Sequence, residues 1–413
     1  YEEAKAENIT LERPQSIKND YVETYTYYCA TRALMKQQGF EFKSEFSSET
    51  EKESYEEAYR ELYEECNKQL YTAGYRIYTS INLDMQQELQ NAIDTTLQDY
   101  TEVNEEGIYK LQSAAVCIDN TSGYVKAIVG GRSQEYNGYT INRAYKSYRQ
   151  PGSAIKPLIV YTPMFEKGYT PDTEVMDEPI EDGPSNADGV YSGKITVRTA
   201  VEKSKNTVAW NLLAALTPEK GLEYLAKMNF ARLDENDKRQ AAALGGFTTG
   251  VSPLEMASAY ATIENDGCYW EPTCILKITD AQGNLVLSTQ QEVTPIYREN
   301  AARMMTDVLK SVMTNGTGKG IALDGIPCAG KTGTTNDNKD GWFVGYTRYY
   351  TTSVWVGYDL PKKLDGLSGA TYPGAIWKTY MTKIHEGLEP QDFPVYAAYS
   401  DTQENDGADD SEQ

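Results

Sequence analysis

Between residues 55 and 70 the positions Tyr55, Tyr59, Leu62, Tyr63, Cys66 and Leu70 recur every three or four residues. That period lines one face of a helix, so a helical, Tyr- and Glu-rich linker region is expected over residues 1–74. From Gly74 the texture changes. "GYRIYTSIN" has the β-branched and aromatic content of a strand, and "DMQQELQNAIDTTLQDY" carries Met85, Leu89, Ile93 and Leu97 at four-residue intervals behind Asp84, which is expected to cap a helix. A new domain is expected to begin here. "SAAVCIDNTSGYVKAIVGG" reads as two strands joined by a turn at Asn120-Thr121-Ser122-Gly123. A mostly helical middle follows. Within it, in "VSPLEMASAYATIENDG", Ser252 is placed to cap, Pro253 to take the first helical position, Glu255 to complete a capping box and Gly267 to stop the helix. "TCILKITDAQGNLVLST" predicts another hairpin, "IPCAGKTGTT" a strand, and "DGWFVGYTRYYTTSVWVGYDL" two strands around a polar turn. Antiparallel strands therefore flank a helical block.

A chain of 413 residues with 40% hydrophobic content can bury a large core and is expected to hold more than one folded unit. The formal net charge of −22 argues against nucleic acid as a partner, since phosphates would repel it. No run of eighteen apolar residues occurs, and the sequence opens on Tyr1 without a start methionine or signal sequence. It is therefore expected to be a piece of something longer. The end, "SDTQENDGADDSEQ", is acidic with no base and almost no apolar side chain, so an acidic tail over 389–413 is expected to be disordered.

Six cysteines, Cys29, Cys66, Cys117, Cys268, Cys274 and Cys328, show no C-x-x-C pair and no histidine neighbours, so no metal site and no cofactor is expected. Cys268 and Cys274 are read either as a disulfide or as free buried thiols. The one histidine, His385 in "TKIHEGL", is read as a surface or packing residue. If the protein performs acyl transfer, something other than imidazole must take the nucleophile's proton, and a lysine can if it is desolvated.

One stretch offers that chemistry. In "QPGSAIKPL" Ser153 and Lys156 are three residues apart, and Pro157, having no N–H for the carbonyl of Ser153, lets a helix begin no earlier than about Ser153. Ser153 then sits at a helix start with Lys156 on the same face. Taken alone, the pair also fits an N-cap serine and a solvated lysine. Two further stretches follow in order. "EKSKNTVAW" holds Ser204 and Asn206 around Lys205, and "CAGKTGTT" holds Lys331, Thr332, Gly333 and Thr334 on the expected strand, where Gly333 would let a substrate backbone approach. Ser-x-x-Lys, Ser-x-Asn and Lys-Thr-Gly together are the set of penicillin-binding proteins and serine β-lactamases.

Over roughly residues 75–388 the chain resembles the transpeptidase domain of class A, bifunctional, penicillin-binding proteins. "PGSAIKPLIVYTPMFEKGYTP", "GKITVRTAVEKSKNTVAWNLL", "ALGGFTTGVSPLEMASAYATIENDG" and "GKTGTTNDNKDGWFVGYTRYYTTSVWVGYD" carry the likeness. What precedes residue 75 is similar to the linker that follows the family's glycosyltransferase domain. That domain and the membrane anchor are absent from this sequence. The resemblance implies an α+β fold of the penicillin-binding protein/serine β-lactamase kind, with an antiparallel sheet packed between helices and an all-helical subdomain. It also implies a place on the extracytoplasmic face of the bacterial cytoplasmic membrane.

The implied activity is D,D-transpeptidation, joining donor and acceptor stem peptides of peptidoglycan and inhibited covalently by β-lactam antibiotics. Ser153 would attack the D-alanyl-D-alanine carbonyl, with Lys156 as base, its charge suppressed by burial and by Lys331. Ser204 would relay a proton, and Asn206 would fix Lys156 and the substrate amide. Thr332 and Thr334 would hold the terminal carboxylate beside Lys331, and the N–H groups of Ser153 and Thr334 would form the oxyanion hole. Alternatives stay open: a D,D-carboxypeptidase or serine β-lactamase on the same fold, or a non-catalytic penicillin-sensing or scaffold module. No Glu-x-x-Leu-Asn stretch follows Ser204, which disfavours the class A β-lactamase route.

Overall fold

Five strands make the central sheet: β1 (Leu111–Asp119), β2 (Val125–Val129), β3 (Ala329–Thr334), β4 (Asp340–Tyr346) and β5 (Tyr350–Tyr358). They pair antiparallel throughout, in the order β3-β4-β5-β1-β2, which leaves β3 on an edge. Side chains alternate across a strand. On β1, Ala114, Val116 and Ile118 enter one core while Ala115 and Cys117 enter another. A strand apolar on both faces needs cover on both, and helices supply it.

The helices used below are α1 (Tyr21–Gln37), α2 (Glu49–Thr72), α3 (Leu83–Thr96), α4 (Asn206–Leu216), α5 (Pro253–Glu264), α6 (Glu299–Asn315) and α7 (Tyr372–Ile384). On one face α3 and α7 bury Leu89, Ile93, Ile376, Trp377 and Tyr380 against Phe343, Val354 and Val356. On the other, α5 and α6 bury Met256, Tyr260, Met305 and Leu309 against Val344 and Trp355. The computed structural model describes residues 20–43, 46, 48–134 and 141–398; residues 1–19 of the expected linker and 399–413 of the expected tail lie outside them. Among the described residues no helix is long and apolar enough to cross a membrane.

The α+β class expected from the sequence is the one observed, and the capping box of α5, with Ser252 and Glu255, forms as read. Other readings need correction. α3 is capped by Asn82, whose side chain accepts from the N–H groups of Asp84 and Met85, so Asp84 lies in the first turn instead. The helical block is not all helical, because Glu174–Asp177 pairs with Gly193–Thr196. These strands are too short and too polar to show a period. Residues 389–398, assigned to the disordered tail, hold to the body. Phe393 is buried edge-on to Tyr346, and Asn300 bonds the backbone N–H of Ala397 at 2.7 Å.

Of the stripe on α2, Cys66 and Leu70 are buried while the tyrosines are half-buried against Phe40 and Phe42. Tyr25, Cys29, Leu34 and Met35 of α1 belong to the same core as the sheet. All six cysteines are free thiols, and buried Cys274 neighbours Thr26. His385 is a packing residue, buried at the end of α7 with its ring nitrogens on Met381 O and Thr347 Oγ1.

Candidate active site

Pro157 shapes the segment that carries Ser153. It has no N–H for the Ser153 carbonyl, and its ring would crowd that carbonyl in an α-helix. The chain responds by tightening and then widening. Gly152–Ile155 is a 3₁₀ turn in which Lys156 N–H bonds Ser153 O, and Pro157–Tyr161 is a π turn closed by Thr162 N–H on Pro157 O. This corrects the expected α-helix start. Ser153 caps nothing; Pro151 holds the N-cap position, and the Ser153 hydroxyl makes no hydrogen bond among the described residues. Carbonyls displaced by the irregular winding find buried tyrosines, with Tyr260 OH on Ala154 O and Tyr297 OH on Leu158 O, both at 2.7 Å. Just upstream, Gln150 bonds both backbone groups of Phe247 and accepts from Trp342 Nε1.

Lys156 is wholly buried. Its amine points to the loop before α4, reaching Ser204 O at 2.8 Å, Asn206 Oδ1 at 2.8 Å, Lys205 O at 3.3 Å and Ser204 Oγ at 3.5 Å. No hydrogen bond joins it to Ser153, so the direct Ser153–Lys156 contact read from the spacing is replaced by this loop. Ser204 has φ 56°, a left-handed conformation that costs a non-glycine residue energy and persists only where neighbours enforce it.

The third stretch lies on the edge strand β3. Lys331 is wholly buried, with its amine 2.9 Å from Ser204 Oγ and 3.0 Å from Thr332 O. Gly333 shares that face. A Cβ there would lie 2.4 Å from Pro151 O and 2.9 Å from Ala154 Cβ. The missing side chain thus admits the Ser153 turn, where the sequence had suggested a substrate backbone. Gly152, at φ +54°, answers from the other side, for its Cβ would lie 2.7 Å from Thr334 O. Thr332 and Thr334 occupy the opposite face. Thr332 Oγ1 pairs with Thr317 Oγ1 at 2.7 Å, and Thr334 Oγ1 accepts from Gly369 N–H at 3.1 Å. Thr335 N–H bonds Asp340 O, and hydrogen-bonded pairs alternate along an antiparallel ladder. The N–H of Thr334 is therefore left on the open edge, beside the Ser153 turn.

Electrostatics follow from burial. Desolvation first, and the Lys331 charge second, hold Lys156 well below the ordinary lysine range. Burial alone pushes Lys331 down to about 7. Two serine hydroxyls, two amines with suppressed charge and an open N–H edge can together deprotonate a hydroxyl and stabilise an oxyanion. Ser153, Lys156, Ser204, Asn206, Lys331, Gly333 and Thr334 are thus brought together, with Thr332 turned toward Thr317. Sequence reasoning missed Gly152, Gln150, Tyr260, Tyr297, Thr317 and the side chain of Lys205. None carries a signal of its own, because each acts through a partner distant in sequence.

Comparison with known proteins gives the family. Residues 113–382 match the family model described as penicillin binding protein transpeptidase domain. Penicillin-binding protein 1A of Clostridium acetobutylicum is 37% identical over 344 residues, which are 78% of this chain and 42% of that protein. Penicillin-binding protein 4 of Bacillus subtilis is 35% identical over 309 residues, 74% of this chain and 48% of its own length. The chain thus spans about half the length of the curated relatives it matches. Among solved structures, PonA1 from Mycobacterium tuberculosis in complex with penicillin V superposes with a TM-score of 0.72 at 24% identity, covering 89% of this chain and 94% of that one. Penicillin-binding protein 1A from Haemophilus influenzae gives 0.70 at 23%, covering 84% and 71%. By its motifs, its fold and these relatives, the chain belongs to the transpeptidase-domain family of the class A penicillin-binding proteins.

Proposed function

We propose that this chain is a serine D,D-transpeptidase of peptidoglycan synthesis. The observation that carries the reading is the buried amine of Lys156, held below its ordinary pKa beside Lys331 and Ser204, in one site with a serine hydroxyl that makes no hydrogen bond among the described residues. Ser153 is the nucleophile. Its hydroxyl proton passes to Lys156 as Oγ attacks the carbonyl of a D-alanyl-D-alanine stem peptide. The N–H groups of Ser153 and Thr334 receive the oxyanion. Collapse expels D-alanine, whose nitrogen takes a proton from Ser204 while Lys156 or Lys331 reprotonates Ser204. An acceptor amine then attacks the ester carbonyl and gives a proton to Lys156; the C–O bond to Ser153 breaks, and Oγ takes that proton back.

Asn206 holds Lys156 and the substrate amide, and Thr332 and Thr334 offer their hydroxyls to the terminal carboxylate, which β-lactams share, beside the charge of buried Lys331. No cofactor is needed for these steps. The acceptor peptide, a glycosyltransferase domain, a membrane anchor and action on the extracytoplasmic face of the membrane belong to the same reading. The test is incubation with a D-alanyl-D-alanine donor peptide and an amine acceptor. Cross-linked product with release of D-alanine is expected. Hydrolysed donor alone would make it a carboxypeptidase, and no covalent adduct on Ser153 with either peptide or penicillin would make it a non-catalytic module.

A further inference from the structure

Lys205 stands between Ser204 and Asn206, and its side chain leaves the site in the opposite direction. It is buried, with 2% of its side-chain surface exposed. Its amine lies 3.3 Å from Asp177 Oδ2, 3.0 Å from Asp188 Oδ2 and 2.7 Å from Val190 O. Asp177 ends the first strand of the hairpin 174–196 and is wholly buried. It also accepts from Thr207 Oγ1 at 2.7 Å, Asn186 Nδ2 at 2.6 Å and Ser192 N–H at 2.9 Å. Asn186 returns the grip: its Oδ1 takes the N–H groups of Asn206 and Thr207, while Asn206 Nδ2 bonds Ser185 O. The hairpin loop 178–192 thus holds the tripeptide Ser204-Lys205-Asn206 at every residue except Ser204. That residue carries the strained φ.

All four hydrogen bonds of the Lys156 amine end on these same three residues. A buried ion pair is weak evidence for stability, since apolar residues of like size often replace it without loss. It does fix a geometry. A small displacement of a catalytic group can cost two orders of magnitude in rate.

We propose that Lys205 is a positioning residue for acyl transfer: its ion pair with Asp177 and Asp188 ties the hairpin loop to the Ser204–Asn206 backbone and thereby aims the Lys156 amine. The inference rests on the reading of Ser153 as the acylated residue. A retained charge at position 205 sets rate through Lys156, not affinity for the drug, because Lys205 reaches no open surface.

The test separates the acylation rate constant from the reversible dissociation constant of a fluorescent penicillin, in this chain, for Lys205→Met and Asp188→Asn. In Lys205→Met the rate constant is expected to fall by roughly 10-fold or more, with the dissociation constant changed by less than about 3-fold. Asp188, half-exposed, is removed at little structural cost, and Asp188→Asn is expected to show the same split with an effect of about 3-fold. Lys205→Met decides the matter if it melts cooperatively; Asp188→Asn decides it if Lys205→Met does not fold. An acylation rate constant equal to that of the unaltered chain in the deciding variant overturns the proposal. Mass spectrometry of the unaltered chain keeps the two readings apart: absence of an adduct on Ser153 there defeats the proposed function itself.

Discussion

The Lys331 amine lies 2.9 Å from the Ser204 hydroxyl, and the Lys156 amine approaches the same oxygen to 3.5 Å. One hydroxyl therefore bridges two buried amines. Neither amine is ion-paired with a carboxylate among the described residues, so no opposite charge offsets the mutual repulsion of two ammonium groups in a dry site. The least costly state carries fewer protons than two ordinary lysines would, and the bridge gives the remaining proton a path between them.

The first prediction concerns that coupling. Replacing Lys331 with Met removes the like charge that disfavours protonation of Lys156, so the Lys156 pKa rises and the acid limb of the acylation rate profile moves to higher pH. Burial, the larger cause, persists, so the Lys156 pKa stays below the ordinary lysine range. Stability responds with the same physics. The pKa of Lys331 is lowered on folding, so between about 7 and the unfolded value near 10.4 the unfolded chain binds more protons. The native state therefore gains stability as pH rises through that window and loses it as pH falls. Lys331→Met should lose the share of this slope that Lys331 contributes and keep the share of Lys156, which burial still holds below the ordinary lysine range. Rate profiles and chemical denaturation across pH check both halves.

The second prediction is that Ser153→Ala abolishes the covalent penicillin adduct while leaving the melting temperature within about 1 °C of the unaltered chain, since its hydroxyl makes no hydrogen bond among the described residues. Intact-mass measurement reads the adduct. An adduct surviving in this variant would assign the nucleophile to another residue.

The third prediction separates base from binding group. Lys156→Met should slow acylation by about 10² to 10⁴ while reversible affinity changes little, because the amine is wholly buried and its hydrogen bonds all run to Ser204, Lys205 and Asn206. Stopped-flow acylation at several drug concentrations resolves the two constants.

The residues that the fold gathers into the candidate site were legible because they are close in sequence, although the direct Ser153–Lys156 contact was not among what the spacing got right. Ser153 with Lys156, Ser204 with Asn206, and Lys331 through Thr334 each sit within one turn or one strand, where spacing fixes relative placement. The capping box at Ser252 and the strands of the sheet were legible for the same local reasons. What escaped depends on tertiary contact. Nothing in "SKN" says that the lysine pairs with Asp177, nor does Gly333 announce that Pro151 will fill its space. The Asn82 cap was missed because Asp84 is an equally good capping type two residues on, and only the backbone decides between them.

The fourth prediction uses that close approach. Gly333→Ala places a Cβ 2.4 Å from the Pro151 carbonyl oxygen, a backbone atom that can yield only by moving the Ser153 turn. Acylation should fall by roughly 10-fold or more and stability by about 1–3 kcal/mol, the usual cost of overpacking. Gly320→Ala, where nothing lies within 4 Å of the added Cβ, is the control and should leave acylation unchanged. Equal acylation rates in the two variants would show that the strand and the turn need no such fit.

The last prediction concerns the fate of the acyl-enzyme. Water can cleave the ester quickly only if a general base is aimed at it, and the site offers few. His385 is buried against Thr347 and Met381, bonded at both ring nitrogens. The carboxylates behind the Ser204–Asn206 loop are Asp177, wholly buried, and Asp188, and both are engaged by Lys205. Neither bonds the amines or hydroxyls of the site. On the proposed reading Lys156 activates whatever nucleophile arrives. An amine acceptor held in place has an effective concentration that outweighs bulk water. The penicillin adduct on Ser153 is therefore expected to persist for many minutes after excess drug is removed, and added acceptor amine should shorten the lifetime of the peptide ester. Intact-protein mass spectrometry over time reads both lifetimes. Disappearance of the drug adduct within seconds, with hydrolysed penicillin accumulating in excess over protein, would make the chain a β-lactamase and require a base that these contacts do not contain.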